Sequence, residues 1–504
     1  MNISRRWFIG GAASFGALSG CKVFDDPLGI LGKGRANLKF GVISDIHIIA
    51  QNVDKGHQGN TRTLEHAFRW FDAQGVDGVL IAGDMADAGL VSQLQCVADA
   101  WYKVFPDDAS KIDGRHVEKL FIYGNHDWEG CYYGYDIYGQ KSGDLTSDQI
   151  RRFGMKKTWE RVFNEEYAPI YRKNVKGYDF VGAHWDGGEG MFDWNGSKKV
   201  EAWFAENGGK LDPAKPFFYF QHPHPKDTCY GSWAWGHDGG QSTRALSRFP
   251  NAVAFSGHSH YSLLDERSIW QGEFTSIGTG SLRYAGGPYD EFASEGGYEN
   301  TGAGGKVRPD GEKSMMTIGN AADERNGYLV SVFDDRIVYR RRDFLADCDL
   351  GPDWVMPLPA AESKPFAFVA RAEKAAAPAF AADAKVKATP GKALTRKAAG
   401  AKYRKPEDKA KAELPAVNVE FPAATAKNRP WRYDVRAEKE DGSLVLLKRV
   451  LSPDYHLPKL ETGIKLAFFA TELPKGEKVR FTVIPYECYG RAGAAISSDY
   501  VKVS

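Results

Sequence analysis

The sequence contains little cysteine and carries almost no net charge. Six cysteines among 504 residues are too few to build a disulfide-stabilised scaffold. The 66 Lys and Arg residues nearly balance the 65 Asp and Glu residues, so the chain has no global field that attracts nucleic acid, and no nucleic-acid-specific binding is expected. Hydrophobic residues (42%) and aromatic residues (13%) exclude general disorder. A chain of this length is expected to hold about three domains, or two large ones.

The N terminus lacks a hydrophobic run long enough for a membrane span. The uncharged segment 7–20 is shorter than the roughly 20 residues that a transmembrane helix needs. It follows a pair of arginines that resembles twin-arginine export signals, and residues 18–21 resemble a bacterial lipobox. We therefore expect residues 1–21 to be a signal peptide and the protein to be exported to the periplasm or cell surface, anchored to the membrane by a lipid on Cys21. A cleaved signal with an incidental cysteine is the alternative.

Short apolar runs alternate with a helical pattern across residues 38–345. Five runs have the length and composition of buried strands, and they lie at residues 40–44, 78–82, 120–123, 217–221 and 252–256. Between the first two runs, apolar residues recur at helical spacing from residue 63 to residue 73. This succession of strand, helix and strand predicts an α/β domain.

The composition changes after residue 345. Residues 346–413 include an Ala- and Lys-rich stretch with few aromatics, which predicts a solvated linker or an insertion into the next domain rather than a nucleic-acid-binding tail. Residues 414–504 contain short strands with period-two alternation between turn signals, and they predict a smaller all-β sandwich. On the turn at 473–476 and the loop at 486–490, this module is similar to fibronectin type III domains.

Each of five short motifs directly follows one of the predicted strands. The motifs are Asp45-Ile46-His47, Gly83-Asp84, Gly124-Asn125-His126-Asp127, His222-Pro223-His224 and Gly257-His258-Ser259-His260. Open α/β sheets gather ligands at the carboxyl ends of their strands, so we expect these side chains to converge. Each motif alone is weak, but together they hold half of the chain's 12 histidines. Imidazole and oxygen ligands without thiolate favour ions such as Mn, Fe, Zn or Co.

In this order, the five motifs resemble the calcineurin-like metallophosphoesterase family over residues 38–344. The resemblance implies an α/β/β/α sandwich that holds two divalent or trivalent metal ions. It also implies hydrolysis of a phosphate diester or monoester by attack of a metal-bridging hydroxide. Asp84 would bridge the two metals. The remaining ligands would be Asp45, His47 and His260 for one metal, and Asn125, His222 and His258 for the other.

His126 and Asp127 are the predicted catalytic residues. The resemblance implies that His126 contacts a phosphate oxygen or protonates the leaving alkoxide. Asp127 is expected to orient that imidazole, with a simple turn residue as the alternative. In the fourth motif, His222 matches the ligand position and His224 would support it, although the opposite assignment is open. Asp87 is interpreted as a loop or cap residue rather than a ligand.

Two aromatic-rich insertions follow the third and fourth motifs. The aromatic residues are Tyr132, Tyr133, Tyr135 and Tyr138 in the first insertion, and Trp233 and Trp235 in the second. They would form a wall that accepts a sugar, base or lipid group, or they would pack the loops together. A disulfide between Cys131 and Cys229, which lie in the same insertions, is a hypothesis for an exported protein.

Two functions from different classes remain. The first is an exported two-metal phosphoesterase that acts on a phosphate-ester small molecule or on a lipid or sugar conjugate. The second is a cell-surface binding lipoprotein whose phosphoesterase-like domain is not catalytic. All seven ligand positions are occupied by suitable residues, which favours the enzyme. The sequence does not indicate the oligomeric state.

Overall fold

A computed structural model describes most of the chain after residue 33. The described residues are 34–49, 58–139, 143, 145–187, 195–231, 236–283, 298–299, 314–317, 325–394, 413–425, 430–452 and 463–504. The predicted signal peptide (residues 1–21) and the two tryptophans Trp233 and Trp235 lie outside these residues. Among the described helices, none has the length and apolar character needed to cross a bilayer.

Helices and strands alternate in the first half of the chain, and strands dominate the second. The helices are α1 (Gln58–Gln74), α2 (Val91–Val104), α3 (Asn125–Ile137), α4 (Ser147–Phe163), α5 (Asn195–Asn207), α6 (Gln241–Leu246) and α7 (Phe368–Lys374). The strands are β1 (Leu38–Ile43), β2 (Gly78–Ala82), β3 (Glu118–Ile122), β4 (Ile170–Val175), β5 (Tyr178–Ala183), β6 (Phe217–Phe220), β7 (Ala252–Ser256), β8 (Ile269–Gln271), β9 (Thr275–Gly278), β10 (Tyr298–Glu299), β11 (Ser314–Thr317), β12 (Asn326–Val332), β13 (Arg336–Asp343), β14 (Cys348–Asp349), β15 (Trp354–Pro357), β16 (Lys387–Leu394), β17 (Glu413–Pro422), β18 (Arg432–Lys439), β19 (Leu444–Leu451), β20 (Gly463–Phe469), β21 (Lys478–Tyr486), β22 (Ile496–Ser497) and β23 (Val501–Lys502).

Two mixed sheets form the first domain. One sheet has the order β14-β13-β12-β1-β2-β3, with β15 paired to β13, and the other has the order β4-β5-β6-β7-β9-β8. Strands β1, β2 and β3 run parallel, as do β5, β6, β7 and β9. The parallel strands of each sheet therefore place their carboxyl ends along one common edge.

The two sheets pack face to face, and helices cover their outer faces. Phe40 lies between the sheets, with its ring centroid 5.1 Å from Phe180, 4.8 Å from Phe218 and 5.9 Å from Phe255. A second buried cluster joins the outer faces to the helices. There Gly41 allows close packing, because a Cβ at this position would lie 2.7 Å from the ring of Phe71. The predicted α/β/β/α sandwich is thus confirmed.

The segment predicted as a linker, residues 346–413, contains strands of both domains. Strands β14 and β15 pair with β13 of the first domain, and β16 pairs along its whole length with β17 of the C-terminal region. The described part of this segment is therefore paired into sheets, whereas residues 395–412 lie outside the described residues, and the linker or insertion stays a prediction. Small and charged residues concealed the pairing, because an edge strand of this kind buries few side chains and has little apolar periodicity.

The C-terminal region is a separate all-β unit. One sheet has the order β16-β17-β20, and another has the order β10-β11-β19-β18-β21-β22 with β23 paired to β21. Their core includes Phe421 and Tyr433, with ring centroids 5.2 Å apart, and Phe468 and Phe481, 4.7 Å apart. The predicted all-β domain is present, while its fibronectin type III character stays a prediction.

Candidate metal centre

All five motifs lie just past the carboxyl ends of parallel strands in the first domain. In the first, second and fifth motifs, ligand residues adopt the left-handed conformation that non-glycine residues rarely occupy. The positive φ angles are 51° at Asp45, 49° at His47, 51° at Asp84, 70° at His258 and 55° at His260. Such local strain persists only where the surrounding structure enforces it, and it is concentrated at functional sites.

Three motif glycines allow the loops to approach one another closely. A Cβ on Gly83 would lie 2.5 Å from His222 Nδ1, and a Cβ on Gly124 would lie 2.2 Å from Asp84 Oδ1. A Cβ on Gly257 would lie 2.4 Å from Asp45 Oδ2. The absence of a side chain at these positions is therefore required for the carboxylates to reach their places.

One group of ligand atoms converges around Asp45. His260 Nε2 lies 3.0 Å from Asp45 Oδ1 and 3.2 Å from His47 Nε2. His47 Nε2 is also 3.6 Å from Asp84 Oδ2. The four atoms lie within 4.8 Å of one another and could hold one metal ion.

A second group shares the carboxylate of Asp84. His222 Nε2 lies 3.1 Å from Asp84 Oδ2 and 3.2 Å from His258 Nδ1. Asn125 begins α3, and its Oδ1 is buried without a hydrogen-bond partner among the described residues. A buried oxygen of this kind is costly unless something binds it, and a cation would do so. The oxygen and imidazole donors of both groups therefore fit two metal ions, with Asp84 between them.

Both carboxylates are ionised in this setting. Burial favours the protonated form of Asp45, but the adjacent imidazole of His260 lowers the pKa of its carboxyl to about 2. Burial also opposes ionisation of Asp84, yet His222 beside it holds the pKa of that carboxyl well below its usual range. The structure thus keeps two negative charges buried among imidazoles, which favours a cation between them.

Residues 38–262 match the calcineurin-like phosphoesterase family. This part of the chain is a calcineurin-like phosphoesterase domain. The family match and the two convergent ligand groups support a metal-dependent phosphoester hydrolase.

The phosphoesterase domain is also similar to distant solved structures. A dimetal phosphatase from Danio rerio has 12% identity and a TM-score of 0.35, covering 64% of this chain and 99% of its own. A purple acid phosphatase from seeds of yellow lupin (Lupinus luteus) has 11% identity and a TM-score of 0.36, covering 64% of this chain and 54% of its own. Because these values are low, the assignment depends on the family match and on the side chains. The comparison with curated proteins gives no match.

His126 lies at the rim of the phosphoesterase site. Its Nδ1 is 2.7 Å from the carbonyl oxygen of Asp87, so Nδ1 carries the proton and donates it. Its backbone N–H donates to Asp84 Oδ1 at 2.9 Å, and its ring centroid lies 4.6 Å from that of His47. Burial opposes the charged ring, but Asp84 raises the pKa of His126. The remaining nitrogen, Nε2, is therefore the atom available to a substrate.

Asp127 does not orient His126, and its predicted role is corrected. The Asp127 carboxylate is buried and accepts three backbone N–H groups, from Gly124 at 2.8 Å, Met85 at 3.1 Å and Ala86 at 2.8 Å. Burial and nearby Asp84 raise the pKa of its carboxyl to about 7. Asp127 thus ties the second motif loop to the third. The orienting contact for His126 comes instead from the Asp87 carbonyl.

His222, and not His224, faces the ligand group. Both ring nitrogens of His224 are occupied by hydroxyls, Nδ1 by Ser256 at 2.7 Å and Nε2 by Ser259 at 2.8 Å. His222 instead directs Nδ1 to the Ala82 carbonyl at 2.8 Å, which leaves Nε2 for the metal.

Two residues beside the centre, Asp87 and Trp185, were not among the predicted site residues. Asp87 Oδ1 lies 3.4 Å from His47 Nδ1 and forms an ion pair with Arg283, so its carboxylate supports a ligand from behind. The ring centroid of Trp185 is 6.0 Å from that of His258 and 6.3 Å from that of His222. Asp87 stands three positions after Asp84 in the second motif loop, so its place near the site could have been predicted, but the sequence analysis interpreted it as a loop or cap residue.

Two tyrosines of the first aromatic insertion are exposed to solvent. Tyr132 and Tyr133 are 37% and 59% exposed on α3, with ring centroids 5.9 Å apart.

The hypothesis of a disulfide between Cys131 and Cys229 is wrong, because both are free thiols. The Cys131 thiol donates to the Asp127 carbonyl and that of Cys229 donates to the Ser268 carbonyl, so they belong to different parts of the core.

Proposed function

We propose that this protein is an exported two-metal phosphoesterase that hydrolyses phosphate esters. The observation that carries the proposal is the sharing of Asp84 Oδ2 between two ligand groups, one with His47 and one with His222. Six side chains from four loops, which follow strands of both sheets, form the two groups, and oxygen and imidazole donors of this kind suit paired divalent or trivalent ions. The buried Oδ1 of Asn125, which has no hydrogen-bond partner among the described residues, supports it as a seventh ligand.

The metal ligands and His126 would have separate roles in hydrolysis. Two bound cations would clamp a phosphoryl group and acidify a water molecule between them. Asp45 and Asp84 supply two negative charges, fewer than two dications carry, and Asn125 binds without adding another. The loaded site would keep a positive charge that attracts an anionic ester. His126, held through Nδ1, would present Nε2 to a phosphate oxygen or to the leaving alkoxide.

The surroundings of the site support a substrate with an apolar or ring-bearing group beside the phosphate. Trp185 forms an apolar wall beside His222 and His258, and the rings of Tyr132 and Tyr133 are exposed farther along α3. These surfaces suit a phosphate-ester small molecule or a lipid or sugar conjugate. Export and a lipid anchor at Cys21 are supported by the arginine pair and the lipobox-like residues 18–21.

The variant Asp84→Asn tests the catalytic function. Loss of the bridging charge should abolish turnover of bis(p-nitrophenyl) phosphate by Mn-loaded protein, with a decrease of at least about 1,000-fold in kcat. Asp179→Asn is the matched control, because Asp179 is buried in the same domain but pairs with Arg172 outside the site. A wild-type protein that binds metal but turns over none of a panel of diesters, monoesters, phospholipids and sugar phosphates would favour the binding lipoprotein instead.

A further inference from the structure

Two buried hydroxyl groups lie behind the carboxylate of Asp45. Ser44 Oγ is 2.5 Å from Asp45 Oδ2 and 2.6 Å from Thr279 Oγ1. All three residues are fully buried. An ionised carboxylate only accepts hydrogen bonds, so Ser44 donates to Asp45, although its Oγ also lies 3.2 Å from the Gly280 carbonyl oxygen. The Thr279 hydroxyl is then left to donate, and its proton is shared between Ser44 Oγ and the Ser256 carbonyl oxygen, which is 3.0 Å from Thr279 Oγ1.

The two carboxylate oxygens of Asp45 have different surroundings. Oδ2 receives the Ser44 hydroxyl, and the backbone N–H of His258 lies 3.1 Å from each carboxylate oxygen. Oδ1 is the oxygen that lies 3.0 Å from His260 Nε2 and 4.0 Å from His47 Nε2. Apart from the His258 N–H that both oxygens share, Oδ2 therefore contacts the Ser44 hydroxyl, whereas Oδ1 faces the imidazoles of the first ligand group.

Thr279 belongs to a segment that carries none of the five motifs. It directly follows β9, and its backbone N–H donates to the Ser256 carbonyl at 2.8 Å. Farther along, Ser281 Oγ donates to the Asp45 carbonyl at 3.1 Å, and Leu282 N donates to the Ser44 carbonyl at 2.9 Å. Residues 279–282 thus wrap around the end of β1 and hold the first motif in place.

We propose that Ser44 and Thr279 are positioning residues that hold Asp45 with Oδ1 toward the metal of the first group. The proposal rests on the two-metal function proposed above. Hydrogen bonds to a ligand commonly change metal affinity by about 10- to 100-fold, because they fix the ligand's orientation and basicity. Thr279 acts on Asp45 through Ser44, so its effect should disappear when the Ser44 hydroxyl is absent.

The test is a Co²⁺ titration of metal-free protein, followed by visible absorption and by elemental analysis of bound metal. Wild-type protein should bind two ions. Ser44→Ala should weaken one of them by about 10- to 100-fold and change its absorption bands, while the other changes less than about threefold. Thr279→Val should cause a smaller loss at the same ion, and the double variant should match Ser44→Ala. Thr158→Val and Ser268→Ala are matched controls, since both remove a buried hydroxyl elsewhere.

The outcomes separate this proposal from the proposed function. Wild-type protein that binds fewer than two ions contradicts the two-metal function itself. Wild-type protein with two ions, and Ser44→Ala with the same affinities and spectrum, overturns only the positioning role. Additive losses in the double variant overturn the relay through Ser44. If Ser44→Ala does not fold, the nearly isosteric Thr279→Val decides, and unchanged affinity for both ions then counts against the proposal.

Discussion

Charged side chains are compensated differently in the phosphoesterase domain and in the C-terminal β region. In the C-terminal region they pair with permanent cations, as in Lys448 with Glu472 at 2.7 Å and Arg449 with Asp434 at 3.2 Å. At the site of the phosphoesterase domain, Asp45 and Asp84 face imidazoles. Among the described residues, the groupings of His, Cys, Asp and Glu that could hold a metal all lie in the phosphoesterase domain.

The difference shows why one buried acidic cluster is a site and the other is structural. A guanidinium or ammonium group keeps its charge, neutralises the carboxylate and has no lone pair, so the pair does not bind a metal ion. An imidazole can release its proton, and the neutral ring then has a lone pair that binds a metal beside the carboxylate. The identity of the basic partner, rather than burial or charge density, therefore distinguishes the carboxylates of the metal site from buried carboxylates that form structural ion pairs.

The two regions are nevertheless in contact. The Arg267 guanidinium stacks over the ring of Trp431 at 4.7 Å, and Arg371 of α7 lies over Tyr489 at 5.6 Å while pairing with Glu266. Residues 265–268 lie only a few positions beyond the fifth motif. These contacts make it possible to test whether the C-terminal region influences the site.

The largest effect is expected where the phosphoesterase loops approach most closely. Gly124→Ala would place a Cβ 2.2 Å from Asp84 Oδ1 and displace the shared carboxylate. A displacement of about 1 Å at a reacting centre costs about 100-fold in rate, and we expect at least that loss of kcat/KM. The matched control is Gly463→Ala in the C-terminal region, where the nearest atom to an added Cβ is 3.8 Å away. Equal activity of the two variants would show that the close approach is not needed.

A smaller effect is expected from pH, and only in the phosphoesterase domain. His184 accepts the Tyr123 backbone N–H, and burial lowers its pKa from 6.5 to about 3. Between these pH values the unfolded chain binds a proton that the folded chain does not. The contribution of His184 to stability should therefore fall as pH decreases from about 6.5 toward 3, by at most about 1.4 kcal/mol per pH unit.

Urea unfolding at pH 7 and pH 5 measures this dependence. His184→Gln should reduce the difference between the two pH values, whereas His116→Gln, which changes an exposed imidazole, should leave it unchanged. The C-terminal region from residue 413 onward has one histidine, His456, which lies outside the described residues, and His184→Gln should leave the transition of that region unchanged. The same pH dependence in His184→Gln as in wild type would contradict the prediction.

The smallest effect on activity is expected at the contact between the regions. Trp431→Ala removes the ring under Arg267, which should cost about 1 kcal/mol of docking through the cation–π contact. Because the ring is also buried, the lost packing should destabilise the C-terminal region by a further amount of about 3 kcal/mol. Because Arg267 keeps its ion pair with Asp265, kcat/KM should stay within about threefold of wild type. Limited proteolysis and kinetics measure the two quantities. A large loss of activity would contradict this prediction, because it would mean that the C-terminal region helps to organise the metal site.

Sequence patterns predicted the elements that depend on local spacing. The strand ends that carry Asp45, Asp84 and His258 were visible because an apolar run followed by a polar motif is a local signal. The place of His222 was also predicted from its position directly after a strand. The bonds of Asp127 to the backbone of residues 85 and 86 were not visible, because they join segments about 40 positions apart. The sequence also could not show that Cys131 and Cys229 stay unpaired, because cysteines in two loops that follow site motifs need not lie close together in the folded chain.

The amino-acid sequence by itself determined the α/β order, the positions of the motif residues and the presence of a second, all-β unit. These depend on apolar periodicity and on turn chemistry, which act within a few residues. Only the tertiary structure decided which nitrogen of His222 faces Asp84, which oxygen of Asp45 is held by Ser44, and that Asp87 rather than Asp127 contacts His126. Those choices depend on hydrogen bonds between segments far apart in the chain, and such partners become neighbours only after the two sheets have packed.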